Sequence, residues 1–275
     1  MITLGDYNEL TIVKEVEFGI YLDGEDTEIL LPKKFVPETA KVGDKLTVFL
    51  YRDSMDRLIA TMLKPVAKIG ECAFLRVKDV NQAGAFLDWG LEKDLFVPFR
   101  EQKERMKVGD SHVVFIYLDE RTDRLAASPD LNGFMEKENI ELTENEEVNL
   151  IVYRITDLGY SVVINNKYLG VAYHDEVYKN VNIGDKLTGY IKKVRDDKKI
   201  DVSFRKFGMA EVDDSKKVIL DELQKWGGSL GLSDNSSPDL IKDRLNMSKK
   251  TFKKAIGGLY KDGKIELTDA GIKLK

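Results

Sequence analysis

Lys41-Val42-Gly43-Asp44 recurs as Lys107-Val108-Gly109-Asp110 and again as Asn182-Ile183-Gly184-Asp185, the copies standing 66 and 75 residues apart. An apolar strand follows each copy: Leu46 to Tyr51, Val113 to Leu118, Leu187 to Val194. A charged turn comes next (53–56, 119–123, 195–198), then a short strand opening at Arg57, Arg124 and Lys199. Polar turn residues between two apolar runs are what a hairpin requires. Upstream of each Gly-Asp lies a further strand-turn-strand unit. The second copy shows it best, with Phe74 to Val80, then Gly84-Ala85-Phe86-Leu87-Asp88, then Leu95-Phe96-Val97-Pro98. Each unit therefore holds five strands, the number of a small closed barrel. Gly-Asp is a common turn pair, but three copies at one place in a five-strand order are a repeat.

These residues resemble the S1 RNA-binding domain, a member of the OB-fold class. Gly84-Ala85-Phe86-Leu87 together with Arg124-Leu125-Ala126-Ala127-Ser128 carries the likeness most fully. The repeats depart from the pattern at different places. Its histidine position holds Pro32, Pro98 and Tyr173 in turn, and its phenylalanine position holds Tyr21, Phe86 and Ser161.

Beyond Phe207-Gly208 the period changes from strand to helix. Ser215 is expected to cap a helix bearing Val218, Leu220, Leu223 and Trp226, ended by Gly227-Gly228. A polar loop, Ser229 to Ser236, leads to Ser237 as N-cap with Pro238 behind it, and Leu240, Ile241 and Leu245 form that helix's apolar face. Ser248 caps a third helix, with Phe252, Ala255, Ile256 and Leu259 at i, i+3, i+4 and i+7. Two short strands, Lys264 to Leu267 and Gly271 to Leu274, joined by Thr268-Asp269-Ala270, complete the order of a winged helix.

The fold class expected is therefore mainly β with a C-terminal α+β module: three tandem S1-like OB barrels over 1–67, 68–142 and 143–209, then a winged helix over 210–275. This order is similar to the bacterial conserved virulence factor B (CvfB, or YitL-like) family over the whole chain. The segments Gly84 to Leu91, Met247 to Lys250 and Phe252 to Tyr260 look most like it. The resemblance implies an RNA-binding regulator of gene expression, with binding attributed mainly to the third barrel and the winged helix.

Charge points the same way. The chain carries a net −5, and the segments 1–69, 70–144, 145–214 and 215–275 contribute −3, −6, −1 and +5. A polyanion meets a favourable field only towards the C-terminus. Lys249, Lys250, Lys253, Lys254 and Lys261 populate the third helix, where they read as phosphate contacts or, more plainly, as a solubilising face. In the third barrel Tyr160, Tyr168 and Tyr173 supply aromatic surface, with Lys192, Lys193, Arg195, Lys198, Lys199, Arg205 and Lys206 as cations. Half-buried tyrosines with satisfied hydroxyls are the other reading, and basic groups interleaved with these rings, next to a basic winged helix, tip the balance toward binding. In the acidic front barrels Phe86 and Tyr21 point outward by strand alternation, as stacking platforms or as packing against a neighbouring repeat.

Catalysis finds little support. Two histidines and one cysteine cannot assemble a Cys/His zinc site, and no phosphate-binding loop or nucleophile elbow is present. No metal or cofactor is expected. His174 reads as a polar surface residue. Cys72, as the single cysteine, forms no intramolecular disulfide, and the first residues show no secretory signal, so a cytoplasmic setting away from membranes is expected. Single-stranded RNA is the leading partner. A DNA-binding regulator acting through the winged helix, and a scaffold docking ribosome-associated proteins, stay open.

Overall fold

A computed structural model describes residues 2–174, 180–205, 209–268 and 271–275, with the backbone alone over 209–214. The chain divides into two compact units, Met1–Met135 and Glu136–Lys275.

The first unit holds two barrels. One comprises β1 (Tyr7–Val16), β2 (Gly19–Asp23), β3 (Glu28–Pro32), β4 (Lys45–Arg52) and β5 (Leu58–Thr61). The other comprises β6 (Cys72–Val80), β7 (Gly84–Asp88), β8 (Leu95–Pro98), β9 (Ser111–Asp119) and β10 (Arg124–Ser128). Each closes in the order first-second-third-fifth-fourth, with the third and fifth strands parallel, which is the OB arrangement. The two barrels share apolar packing. Phe49 and Tyr51 of β4 join the core of the second barrel, where Phe49 meets Trp89 edge to face at 5.8 Å.

The repeated Gly-Asp has one structural role in all three barrels. Gly43, Gly109 and Gly184 adopt φ of 96°, 94° and 94°, a left-handed conformation that costs glycine nothing. Each aspartate caps its own turn, accepting from the backbone N–H of Lys41, Lys107 and Asn182 at 2.8, 3.2 and 2.8 Å. The glycine N–H then donates to Ile12, Val77 and Val152 in turn, where the first strand of each barrel breaks register. The turn thus clasps a β-bulge, the device that bends a strand enough to close a small barrel.

The second unit opens with the third barrel: β11 (Glu147–Thr156), β12 (Gly159–Ile164), β13 (Tyr168–Tyr173), β14 (Lys186–Val194) and β15 (Ile200–Ser203), closed in the same order. The C-terminal module follows as α1 (Met209–Lys225), β16 (Ser229–Leu230), α2 (Pro238–Leu245), α3 (Lys249–Lys261), β17 (Ile265–Thr268) and β18 (Gly271–Leu274). Its sheet runs β16-β18-β17. Ile219, Leu223, Ile241, Leu245, Phe252, Ala255, Ile256, Leu259, Ile265 and Ile272 form its core.

Four expectations for this module need correction. The first helix starts at Met209, so Ser215 lies inside it, buried, and caps nothing. The sequence at 211–214 is rich in carboxylates, which favour a helix N-terminus. Its buried stripe is Ile219 and Leu223 with Leu220 beside them, while Val218 and Trp226 are exposed. A one-residue step rotates a helix by about 100°, enough to move a stripe from core to solvent. On α2, Leu240 is exposed and the pair Ile241 and Leu245 alone is buried. Ser229 and Leu230 are a strand on β18 rather than loop.

Other expectations hold. Ser237 and Ser248 accept from the N–H of Leu240 and Thr251 and cap α2 and α3. Gly228 and Gly227 donate to the carbonyls of Leu223 and Gln224, the paired closure that ends a helix on glycine. Of the turn between the last two strands, Asp269 and Ala270 lie outside the described residues.

Candidate nucleic-acid interface

On an OB barrel the face of the second and third strands, flanked by the loop between the first two strands and the loop between the last two, is where oligonucleotides bind. In the third barrel these are β12 and β13 with the turn after β14. Residues paired across an antiparallel ladder share a face. Tyr168 pairs with Ile164 and both are buried. The Tyr168 hydroxyl is used up indoors, donating to the Asn139 carbonyl at 3.3 Å and accepting from the Glu141 N–H at 3.2 Å. Tyr168 is therefore core, not aromatic surface. Tyr160 pairs with buried Ala172 and packs at the rim of the core against Phe204 and the His174 ring, at centroid distances of 5.9 and 4.9 Å. The outward place on β12 belongs to Ser161.

Of the three tyrosines, Tyr173 alone lies on the outer face. Arg195 grips it. The Arg195 guanidinium makes a two-pronged pair with Asp201, Nε to Oδ2 and Nη2 to Oδ1 both at 2.8 Å, and donates to the Tyr173 hydroxyl. Such a fork holds a guanidinium plane in place more firmly than a single contact. Lys198 and Lys199 pair with Glu138 and Asp197. Lys192 and Arg205 are half-buried, whereas Lys193 is exposed with no ion-pair carboxylate among the described residues. Lys206 lies outside the described residues. His174 sets its Nε2 2.7 Å from the Thr156 carbonyl oxygen.

In the first unit Phe86 pairs across the ladder with Phe96, their ring centroids 5.2 Å apart. Both line a cleft of about 590 Å³ between the two barrels, with Tyr51, Trp89, Lys93 and Arg124. The period-two alternation that sends Phe86 outward does the same for Phe96, so the period was a signal sufficient to find this second ring. The cations of the cleft are already engaged. Arg124 donates to Asp56, Arg52 to Asp123, and Lys93 to the Asp53 carbonyl at 2.7 Å. Burial holds the Lys93 ammonium below its ordinary value despite nearby Asp53, and pushes the Tyr51 hydroxyl up to about 12. Tyr21, half-buried, has the Lys14 ammonium 4.5 Å from its ring centre, and Lys14 itself pairs with Glu28 at 2.6 Å.

The third helix of the C-terminal module is different in kind. Ser248 starts it, and Phe252, Ala255, Ile256 and Leu259 bury one side. Lys250, Lys253, Lys254 and Lys261 stand exposed on the other, with Lys249 half-buried at its start. Lys253 lies 3.8 Å from Asp234. Among the described residues no carboxylate stands within ion-pair distance of Lys249, Lys250, Lys254 or Lys261.

Among the described residues there is no cluster of three or more His, Cys, Asp or Glu side chains that could hold a metal ion. Nor, among them, is any helix long and apolar enough to cross a membrane.

The S1 domain model matches residues 4–63 and 69–129, the first two barrels, and the CvfB-like winged helix domain model matches residues 217–274. The YitL protein of Bacillus subtilis is 32% identical over 272 residues, a match covering 95% of this chain and 90% of that protein. Conserved virulence factor B of Staphylococcus epidermidis is 27% identical over 263 residues, covering 90% and 88%. This chain belongs to the conserved virulence factor B family. A crystal structure from Streptococcus pneumoniae, described as a multidomain protein with nucleic acid binding domains, is 28% identical, covers 99% of this chain and 98% of its own, and gives a TM-score of 0.45. For this family member, S1 barrels and a winged helix together support nucleic acid binding.

Proposed function

We propose that the chain is a non-catalytic, cytoplasmic regulator that binds single-stranded RNA through its third barrel and its winged helix. The observation that carries this reading is the lysine face of α3. Four of its cations, gathered on one helix, have no carboxylate of the same chain to neutralise them among the described residues, while the cations of the front cleft, Arg52, Lys93 and Arg124, are all paired. Phosphates that displace counterions from free lysines gain affinity in proportion to the number engaged. Lysines already paired offer little.

Single strands suit the third barrel because an unstacked base can lie on an outward ring while its phosphates reach nearby cations. Tyr173, with Arg195 fixed beside it and Lys193 exposed, supplies that combination. One base on one ring is worth about 1–3 kcal/mol. Phe86 and Tyr21 remain platforms of the right shape in an unfavourable field.

The α2-turn-α3 arrangement also suits duplex DNA, since such a third helix fits a major groove. Fluorescence anisotropy with the full chain, using single-stranded RNA and duplex DNA of matched sequence over a salt series, separates the two. The reading expects tighter RNA binding with a steep salt slope. A preference for the duplex would make the winged helix a DNA reader, and absence of binding to either would leave protein docking.

A further inference from the structure

Gly257 lies in the interior of α3 in ordinary helical conformation, where glycine is the weakest helix former short of proline. The fold offers no reason for it. A Cβ built at Gly257 meets nothing within 4 Å, so alanine would fit without displacing any atom. Its neighbour Gly258 differs, since a Cβ there would stand 2.3 Å from Cε of Lys216.

Around Gly257 stand four lysines and, three residues on, the exposed ring of Tyr260. Lys250, Lys253 and Lys254 precede it by seven, four and three residues and Lys261 follows by four, all spacings that bring side chains to one face of a helix. All four are exposed. Gly257 is thus a half-buried stretch of helix backbone in the middle of four lysines.

We propose that Gly257 is the seat of a phosphodiester backbone, the point at which a phosphate or ribose lies directly on the surface of α3. Where a ligand must approach the main chain closely, glycine is the residue that permits it. A methyl group would hold the phosphate away from the helix and lengthen its distances to the lysines around it. The inference rests on the proposed role of α3 and adds the point of closest approach.

The two consequences of a substitution have opposite signs. Gly257→Ala strengthens the helix and weakens the complex. In the full chain we expect hydrogen-exchange protection of the α3 amides to rise about threefold, because alanine is the better helix former. Affinity for a fluorescein-labelled single-stranded RNA should fall about tenfold, and further for Gly257→Leu, as the phosphate is held farther from the surrounding ammonium groups. A third variant, Lys250→Ala with Lys254→Ala, is measured beside them. If it binds RNA weakly while both Gly257 variants bind like the parent, the seat is overturned and the role of α3 stands. If it too binds like the parent, the role of α3 falls, and the seat with it.

Discussion

Asp56, at the tip of the hairpin between β4 and β5, accepts from Arg124 of the neighbouring barrel, and Lys93 Nζ lies 3.7 Å from the same carboxylate. A carboxylate of the chain itself therefore engages two of the cations that line the cleft with Phe86 and Phe96. Exposed pairs of this kind contribute little to stability, but they leave the cleft's cations without a free charge to offer.

Phe86→Ala and Tyr21→Ala are accordingly expected to leave affinity for single-stranded RNA within about twofold, against the roughly 1–3 kcal/mol that a working stacking platform would forfeit. Anisotropy titrations of the two variants check this. A loss of tenfold or more in either would make the front barrels readers.

Tyr173→Ala should weaken RNA binding about fivefold to tenfold while leaving the salt slope unchanged, because a ring contributes stacking and no counterion release. Tyr173→Phe should retain most of the affinity, since the Arg195 guanidinium stays forked on Asp201 without the hydroxyl. If the Phe variant is as weak as the Ala variant, the hydroxyl rather than the ring face carries the interaction.

His112 sets a pH limit on the first unit. Burial lowers its affinity for a proton below the ordinary 6.5, with Asp110 opposing only in part, and its buried Nε2 has no hydrogen-bond partner among the described residues. The unfolded chain then binds a proton that the folded chain refuses. The histidine's contribution is full above 6.5, declines as pH falls below that value, and is exhausted once pH passes the depressed folded value. Denaturant midpoints of the full chain should fall between about pH 7 and 5, and His112→Leu should flatten that part of the decline. An unchanged decline in the Leu variant would remove His112 as its source.

The barrels were legible because one physical demand, a left-handed residue that clasps a bulge, recurs at Gly43, Gly109 and Gly184 and admits little besides glycine. The caps at Ser237 and Ser248 were legible because a side chain satisfies a backbone N–H three residues away, wholly within the local sequence. What stayed hidden depended on partners distant in sequence. Nothing near Tyr168 says that its strand pairs it with Ile164 and turns it inward, nor that Tyr160 shares a face with Ala172. Trp226 reads as apolar from its type, yet the core takes Ile219 and Leu223 and leaves the indole in solvent, under the Arg244 guanidinium at 5.4 Å. A two-residue strand such as Ser229–Leu230 carries no period at all. The lysines of α3 were visible as a run. That Lys249, Lys250, Lys254 and Lys261 have no carboxylate partner among the described residues was visible only in three dimensions.

The claim that most needs testing is that α3 holds the phosphates. Changing Lys249, Lys250, Lys253 and Lys254 together to Ala, and measuring affinity for single-stranded RNA from low to physiological salt, tests it most directly. The account predicts weaker binding and a log-log salt slope shallower by about 2 to 3, at roughly 0.7 for each phosphate that a single strand no longer has neutralised. A slope equal to that of the parent would show that the phosphates are held elsewhere and contradict the account.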